Sequence, residues 1–391
     1  KYCTQNFGEK MLKNYLLSPG PTPVPERVLL AMAKPIIHHR TPQFSAIFDE
    51  CAQKLKTVFK TKNDVLILSA SGTGAMESAI CNAFSPGEKV LVINGGKFGQ
   101  RWGRISEKFG LTVEWMDVEW GDAASAQEIK SALDKDPDIK GVFTQATESS
   151  TTVKHPIKEI AAITKKRDCL LVVDAITGVP VFDVPMDEWG IDILISGSQK
   201  AFMLPPGISF IALSQRAWEK VEKADNKNFY FDLKKERKNL ANKTTSYTAP
   251  VSLVYGLREV LSMLEEETMP KVYGRHANLA KAMRAGADAL GLKNVTDSPS
   301  EAMTGVFLPE TIDGGKFVKT LRDGFGVTFA GGQDNWKGKI VRIAHLGYFG
   351  EFDMIIALSA IEMALSRFGA KVELGAGVAA AEEILKDGFE I

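Results

Sequence analysis

The feature that most constrains this chain is a regular alternation of short apolar runs and helical stretches between Asp64 and Leu213. Val65-Leu66-Ile67-Leu68, Val90-Leu91-Val92-Ile93, Thr112 to Met116, Gly141 to Gln145, Leu170 to Asp174, Ile191 to Ile195 and Phe210 to Leu213 read as strands. Most lack polar alternation, which marks strands covered on both faces. Helices are expected over Ala75 to about Phe84, Phe98 to Phe109, Ala126 to Leu133 and Ile157 to Lys166. Together they predict an α/β fold with a mainly parallel sheet and helices on both faces. In such sheets ligands bind outside the carboxyl ends of the strands. The polar clusters at 69–74, 94–98, 145–151, 174–177 and 196–200 all fall at that edge.

A chain of 391 residues exceeds what one core usually fills, so two domains are expected. Residues 14–25 hold four prolines and a glycine and read as an extended arm. The expected division is an arm at 1–25, a large domain at 26–268 and a small C-terminal α+β domain at 269–391. The small domain carries helical patterns at 271–290, 314–324, 351–368 and an alanine-rich 371–386, with short strands at 302–308 and 340–344. His38, His39 and Arg40 stand in a polar loop that either lines an entrance or starts the helix Phe44 to Phe59.

Charge excludes some classes of partner. Lys+Arg and Asp+Glu are both 48, so no basic excess points to nucleic acid or an anionic membrane. Cys3, Cys51, Cys81 and Cys169 are scattered without a C-x-x-C pair, which argues against a disulfide framework or a cysteine zinc site and fits a reducing compartment. No apolar run approaches the ~18 residues of a membrane span. Lys1 to Lys13 is too polar for a signal-peptide core, and Phe389-Glu390-Ile391 is not the peroxisomal tripeptide. The expected location is the cytoplasm.

The polar clusters carry specific chemistry. Ser71-Gly72-Thr73-Gly74, between a strand and a helix, offers free backbone N–H groups and two hydroxyls, suiting either a phosphate or a structural turn. The dinucleotide fingerprint fails, because Glu77 replaces its last glycine and Asn94-Gly95 stands where an acidic residue belongs. The triphosphate-loop Gly-Lys-Ser/Thr is absent. Asp174 ends an apolar strand, where it serves as a turn former or as a paired buried carboxylate. Lys200 leaves the next strand among Phe202, Met203 and two prolines, where it is either an ordinary loop lysine or an amine that desolvation keeps neutral for Schiff-base formation. A phosphate cradle, a carboxylate and a lysine at one sheet edge together describe a pyridoxal phosphate pocket. Arg342, inside the apolar strand 340–344, calls for an anion.

The sequence resembles the class V, fold-type I pyridoxal phosphate aminotransferases of the alanine–glyoxylate/serine–pyruvate group. The resemblance rests on Leu17 to Thr22, Ser69 to Thr73, Gly99-Gln100-Arg101, Glu148 to Thr151, Val172 to Ala175, Ser196 to Ala201 with Pro205-Pro206-Gly207, and Val341 to Ile343. It implies that Lys200 holds the cofactor as a Schiff base and then shuttles the proton, and that Asp174 pairs with the pyridine nitrogen. It implies a phosphate held by Ser71, Gly72, Thr73 and Gln199, with Phe98 over the ring and Ser149 near the ring hydroxyl or Asp174. Thr245 and Thr248 are implied to reach the phosphate from the partner subunit of a homodimer. Arg342 is implied to clamp the substrate carboxylate, with Gly20 beside it.

The implied reaction moves an amino group from serine or alanine to glyoxylate or pyruvate. The alternatives are an aspartate-preferring enzyme, using Arg40 or Arg101 as a second cation, and a catalytically silent interaction subunit. Three departures bear on substrate rather than chemistry: Phe98 stands where tryptophan or tyrosine is common, Thr152 where glycine is, and Thr73 where some relatives carry histidine.

Overall fold

The computed structural model describes residues 12–225 and 227–388. Cys3, nearly all of the polar stretch Lys1 to Lys13 and the last three residues lie outside the described residues. The seven apolar runs form one sheet: β1 (Val65–Leu68), β2 (Lys89–Asn94), β3 (Thr112–Asp117), β4 (Ile139–Gln145), β5 (Leu170–Asp174), β6 (Ile193–Gly197) and β7 (Ser209–Leu213). Their spatial order is β1-β7-β6-β5-β4-β2-β3. Only β7 is reversed, running antiparallel to β1 and β6. Strands β1, β5, β6 and β7 are buried at every position, whereas edge strand β3 has no fully buried residue.

Such strands can place polar groups only at their ends. Asp174 accordingly arrives at the carboxyl edge in register with Gln145 of β4 and Ile195 of β6.

Two helices open at that edge, α1 (Gly72–Ala83) and α2 (Lys97–Lys108). Helix α1 starts three residues before the expected Ala75. Ser71 takes the extended conformation of an N-cap, so Gly72-Thr73-Gly74 form the first turn rather than a loop. The glycines that read as turn formers are there for space: a Cβ on Gly72 would sit 2.2 Å from Ile176 Cδ1.

The C-terminal part is α+β. An antiparallel sheet of β8 (Met303–Phe307), β9 (Ala330–Gly331) and β10 (Ile340–Ala344) has β10 in the middle. The expected helix at 314–324 is an α-helix only over Gly314–Thr320. It widens into a π turn at Leu321–Phe325, which Gly326 ends at φ +73°. The alanine-rich stretch is helical over Ala376–Leu385, because Gly375 at φ +93° sets its start. No described helix is long and apolar enough to cross a membrane.

The proline-rich arm joins the two parts. Tyr15–Leu16 pairs in parallel with Val327–Thr328. The Ala344 N–H then donates to the Leu17 carbonyl at 3.0 Å, and Thr22 Oγ1 donates to the Lys200 carbonyl at 2.8 Å.

One buried charge secures the final helix. Glu362, 3% exposed, accepts from the N–H groups of Gly375 (2.7 Å), Gly377 (2.8 Å) and Val378 (3.1 Å). A carboxylate there satisfies free donors and faces the positive end of the helix dipole. Urea unfolding of Glu362→Ala is expected to show a loss of about 2 kcal/mol, the scale for unpairing buried donors, and Glu362→Gln a smaller one.

Candidate active site

Three strand exits converge. The turn at 71–73 packs on the turn after Asp174 through Gly72 and Ile176. A Cβ on Gly197 would lie 3.3 Å from Gln199 Oε1 and 3.8 Å from the Gly72 Cα, so the loop after β6 closes on the same point. Ser71, Gly72, Thr73, Asp174, Gln199 and Lys200 thus share one corner of the sheet edge. The loop is held by its own bonds: Ser198 Oγ donates to the Pro205 carbonyl at 2.8 Å, and the Met203 N–H to the Lys200 carbonyl at 2.9 Å.

Lys200 is half-buried, and its Nζ donates to the Pro19 carbonyl of the arm. Gly20, at φ +136°, gives the side chain its passage, since a Cβ there would stand 2.2 Å from Nζ. Burial first, then the Arg342 charge, pulls the amine down to about 8, with Asp174 pulling the other way. Asp174 is 5% exposed; its Oδ1 accepts from the Ile176 N–H at 2.8 Å. Burial pushes its carboxyl up to about 7; the Ile176 N–H opposes this and the Glu148 charge adds to it. A buried carboxyl held near neutrality suits a partner that brings its own positive charge.

Glu148 is a site residue to which the sequence reading gave no role. It is fully buried, and its Oε2 accepts from the N–H groups of Phe98 and Gly99, both at 3.0 Å. Its Oε1 accepts from Ser150 N–H at 3.1 Å and Ser150 Oγ at 2.5 Å. It therefore anchors the start of α2 and with it Phe98. The signal was an acidic residue in a Ser/Thr run at a buried strand exit, but the partners that tie it to α2, Phe98 and Gly99, lie 50 and 49 positions away. Gln145 was also missed; its amide is buried beside Asp174 with no partner for either atom.

Arg342 is 6% exposed in the middle of the small sheet. No anion meets it. Nη1 donates to the Ser149 carbonyl, while Nε and Nη2 donate to the Gly331 carbonyl at 3.1 and 2.8 Å. Ser149 thus meets this site through its backbone. Burial lowers the Arg342 guanidinium to about 10, against the pull of Glu148.

Thr245 and Thr248 do not join Lys200. With Ser69, Tyr230 and Tyr247 they line a separate small crevice, and Thr245 Oγ1 donates to the Tyr247 carbonyl at 2.6 Å. Arg40 donates to Thr244 Oγ1 and the Thr245 carbonyl, so it pins that segment; Thr41 caps the helix Pro42–Phe59. Cys51, Cys81 and Cys169 are free and buried, and burial pushes each thiol up to about 12, so none is a thiolate nucleophile.

The donor set fits a phosphorylated pyridine aldehyde. The first turn of α1 presents N–H groups without intrahelical acceptors. Gln199 Oε1 is buried without a partner, and a half-turn of its amide offers the donor instead. A depressed lysine, a buried carboxyl and a carbonyl-bound arginine complete the set. These features suit an amine that forms a Schiff base at the edge of an α/β sheet.

The chain matches the Aminotransferase class-V family over residues 14–335 and belongs to it. A Synechococcus sp. protein named soluble hydrogenase, small subunit, is 41% identical, covering 95% of this chain and 98% of its own. A serine–glyoxylate aminotransferase of Methylorubrum extorquens is 36% identical, covering 96% of each. The crystal structure of ureidoglycine–glyoxylate aminotransferase from Bacillus subtilis superposes with a TM-score of 0.91 at 28% identity, over 97% of this chain and all of that one. The fold is fold-type I, the cofactor is pyridoxal phosphate, and the enzyme is an aminotransferase.

Asp174 makes the cofactor-free protein sensitive to pH. Its folded carboxyl titrates near 7 and an unfolded aspartate near 3.9, so its stabilising contribution is whole below about 4 and is lost as pH rises through 7. Urea unfolding of the apoprotein is expected to show a fall on the order of 3 kcal/mol across that window. Asp174→Asn should flatten the fall. An unchanged slope in the variant would refute the placement of the titrating proton.

Proposed function

We propose that this enzyme transfers the amino group of serine or alanine to glyoxylate or pyruvate through two half-reactions at Lys200. The observation that carries the reading is the meeting of Lys200, Asp174 and the 71–73 turn at one corner, with Arg342 bonded to neutral carbonyls. When bound, the cofactor supplies an aldehyde for the amino group and a ring that takes up an electron pair. The protein's part is to direct protons and charge. Lys200, partly neutral near pH 8, removes the proton from the substrate Cα and returns it during transfer. Asp174, with Oδ1 fixed by the Ile176 N–H, would hold the proton of the cofactor's ring nitrogen. Phe98 and Ser149 would help to hold the ring. Arg342 exchanges two carbonyls for the substrate carboxylate, a bidentate task beside Gly20 that a guanidinium performs and an ammonium does not.

Small donors are favoured by where the cations an aspartate-preferring site would need are placed, Arg40 at the segment that lines the separate crevice and Arg101 at the 71–73 turn. Arg40 holds Thr244 and Thr245, and Arg101 donates to Thr73. Relatives of both kinds are similar to this chain, a serine–glyoxylate aminotransferase at 36% identity and an L-aspartate–glyoxylate aminotransferase of Paracoccus denitrificans at 34%, so the choice rests on the placement of these cations. A second reading has one observation behind it, the hydrogenase-subunit name of the Synechococcus relative. On that reading the chain is a silent partner that binds cofactor without turnover.

Single-turnover mixing of the loaded enzyme with serine, alanine, aspartate and phosphoserine separates these readings. Serine or alanine should convert the visible cofactor band fastest. Lys200→Ala should abolish the covalently linked band, and Arg342→Lys should raise the donor concentration needed by at least tenfold, the scale of a bidentate charged contact. A parent protein with no conversion of any donor would favour the silent subunit.

The reading extends to assembly. Thr245 and Thr248 would reach the phosphate from a partner, so we expect a homodimer of twice the 42.7 kDa chain mass by light scattering. A monomer that turns over at full rate would overturn it. The proposed domains are the arm at 1–25, a large domain at 26–268 and a small one at 269–391, a division supported by the separate sheets. Three free buried cysteines support a cytoplasmic location.

A further inference from the structure

One side chain on α2 links the 71–73 turn to Phe98. Arg101 Nη1 donates to Thr73 Oγ1 at 3.0 Å, and its guanidinium carbon stands 4.7 Å from the centroid of the Phe98 ring. The Thr73 hydroxyl is its one hydrogen-bond acceptor among the described residues, and that acceptor is neutral. The Arg101 charge also reaches into the pocket, where it acts on both Asp174 and Lys200.

A threonine hydroxyl has a single proton. Where Oγ1 accepts from Arg101, that proton is left for another acceptor. Thr73 sits in the first turn of α1, beside N–H groups with no intrahelical partner; Gly72 of the same turn lies near Gln199, whose buried Oε1 has no partner and whose amide, turned over, offers a donor. Every free donor there points to one kind of ligand, an anion with several lone pairs. Ser71, Gly72, Thr73 and Gln199 are all uncharged, so the cradle they form lacks a counter-charge for a phosphate dianion.

We propose that Arg101 is a positioning residue for the cofactor phosphate. It turns the Thr73 hydroxyl into a committed donor, brings the missing positive charge to the cradle, and holds Phe98 through a cation–π contact at the same time. The proposal rests on the reading of 71–73 as the phosphate turn. It also explains why Arg101 does not serve a second substrate carboxylate.

The test uses binding rather than turnover. Cofactor-free protein is titrated with pyridoxal phosphate and, separately, with pyridoxal, which lacks the phosphate. The variants are Arg101→Met, Arg101→Lys, Thr73→Val and the Arg101→Met/Thr73→Val double variant. Arg101→Met and Thr73→Val should each weaken pyridoxal phosphate binding by roughly tenfold or more, the scale of one hydrogen bond to a charged group. Pyridoxal binding should change by less than about twofold in Thr73→Val, and in Arg101→Met by only about the two- to fivefold that loss of the cation–π contact with Phe98 brings, well short of the loss for the phosphorylated ligand. The double variant should bind about as weakly as the more affected single, because the two residues act as a unit.

Equal weakening of both ligands by Arg101→Met would overturn the proposal and leave Arg101 a support for Phe98 alone. Losses that multiply in the double variant would also overturn it. If Thr73→Val leaves pyridoxal phosphate binding intact, the phosphate-turn reading itself fails, a distinct outcome. Should Arg101→Met not fold, Arg101→Lys carries the same comparison. It keeps the charge but not the fork, so a smaller loss with the same selectivity for the phosphorylated ligand is expected.

Discussion

A strand buried on both faces can carry polar chemistry only where it ends, and that restriction organises this molecule. Asp174, Gln199, Lys200 and Glu148 all follow apolar strands whose interiors have no room for them. The parallel sheet points these exits one way, and helices α1 and α2 begin at the same edge. The start of α1 is the 71–73 turn itself, whereas Glu148 and Ser150 accept the first N–H groups of α2. The small sheet then contributes Arg342 from above. No loop has to find the site, because the layer order has already delivered the groups.

What the sheet assembles is a near balance of charge in a dry place. Lys200, Arg342 and Arg101 face Asp174 and Glu148 across a few side-chain lengths. Burial lowers both Lys200 and Arg342 and raises both carboxyls, so each ionised form is held only by its neighbours. Groups brought within reach of neutrality in this way change protonation at little cost, which is what proton transfer at a carbon acid requires. Glu148 differs from the others. Four donors surround it, so it acts as a fixed negative charge beneath a site whose other members exchange partners.

The strands and their direction were legible in the sequence because burial on both faces leaves a pattern that needs no knowledge of contacts. Lys200 and Asp174 were legible for the same reason: each is a charged residue at the end of an apolar run. Legibility ended where the determining partner is distant or spatial. The start of α1 at Gly72 depends on Ile176, a hundred positions away, and so looked like a loop. The π turn at Leu321–Phe325 keeps an amphipathic spacing that an α-helix shares. Arg342 announced a need for an anion, but nothing local could say that within the chain two neutral carbonyls from different parts would meet it. Thr245 and Thr248 stand apart from Lys200 within one chain, which residue types alone could not have revealed.

The arginine carbonyl contacts bear on how such a site recognises substrate. Ser149 follows the exit of β4 and Gly331 belongs to the small sheet, so Arg342 bridges the two parts through neutral acceptors. A carboxylate competes well against carbonyls, because a charge-assisted bidentate pair is stronger than the neutral bonds it replaces. An arginine already paired with a buried carboxylate would have resisted that exchange. If Arg342 takes the substrate carboxylate as proposed, binding on these terms would also loosen a link between the sheets as it formed a better one, and the carboxylate would take over part of the structural role of Arg342. A ligand without a carboxylate offers no such replacement and leaves the bridge as it was. Selectivity for amino and oxo acids then follows from what the guanidinium gives up as much as from what it gains.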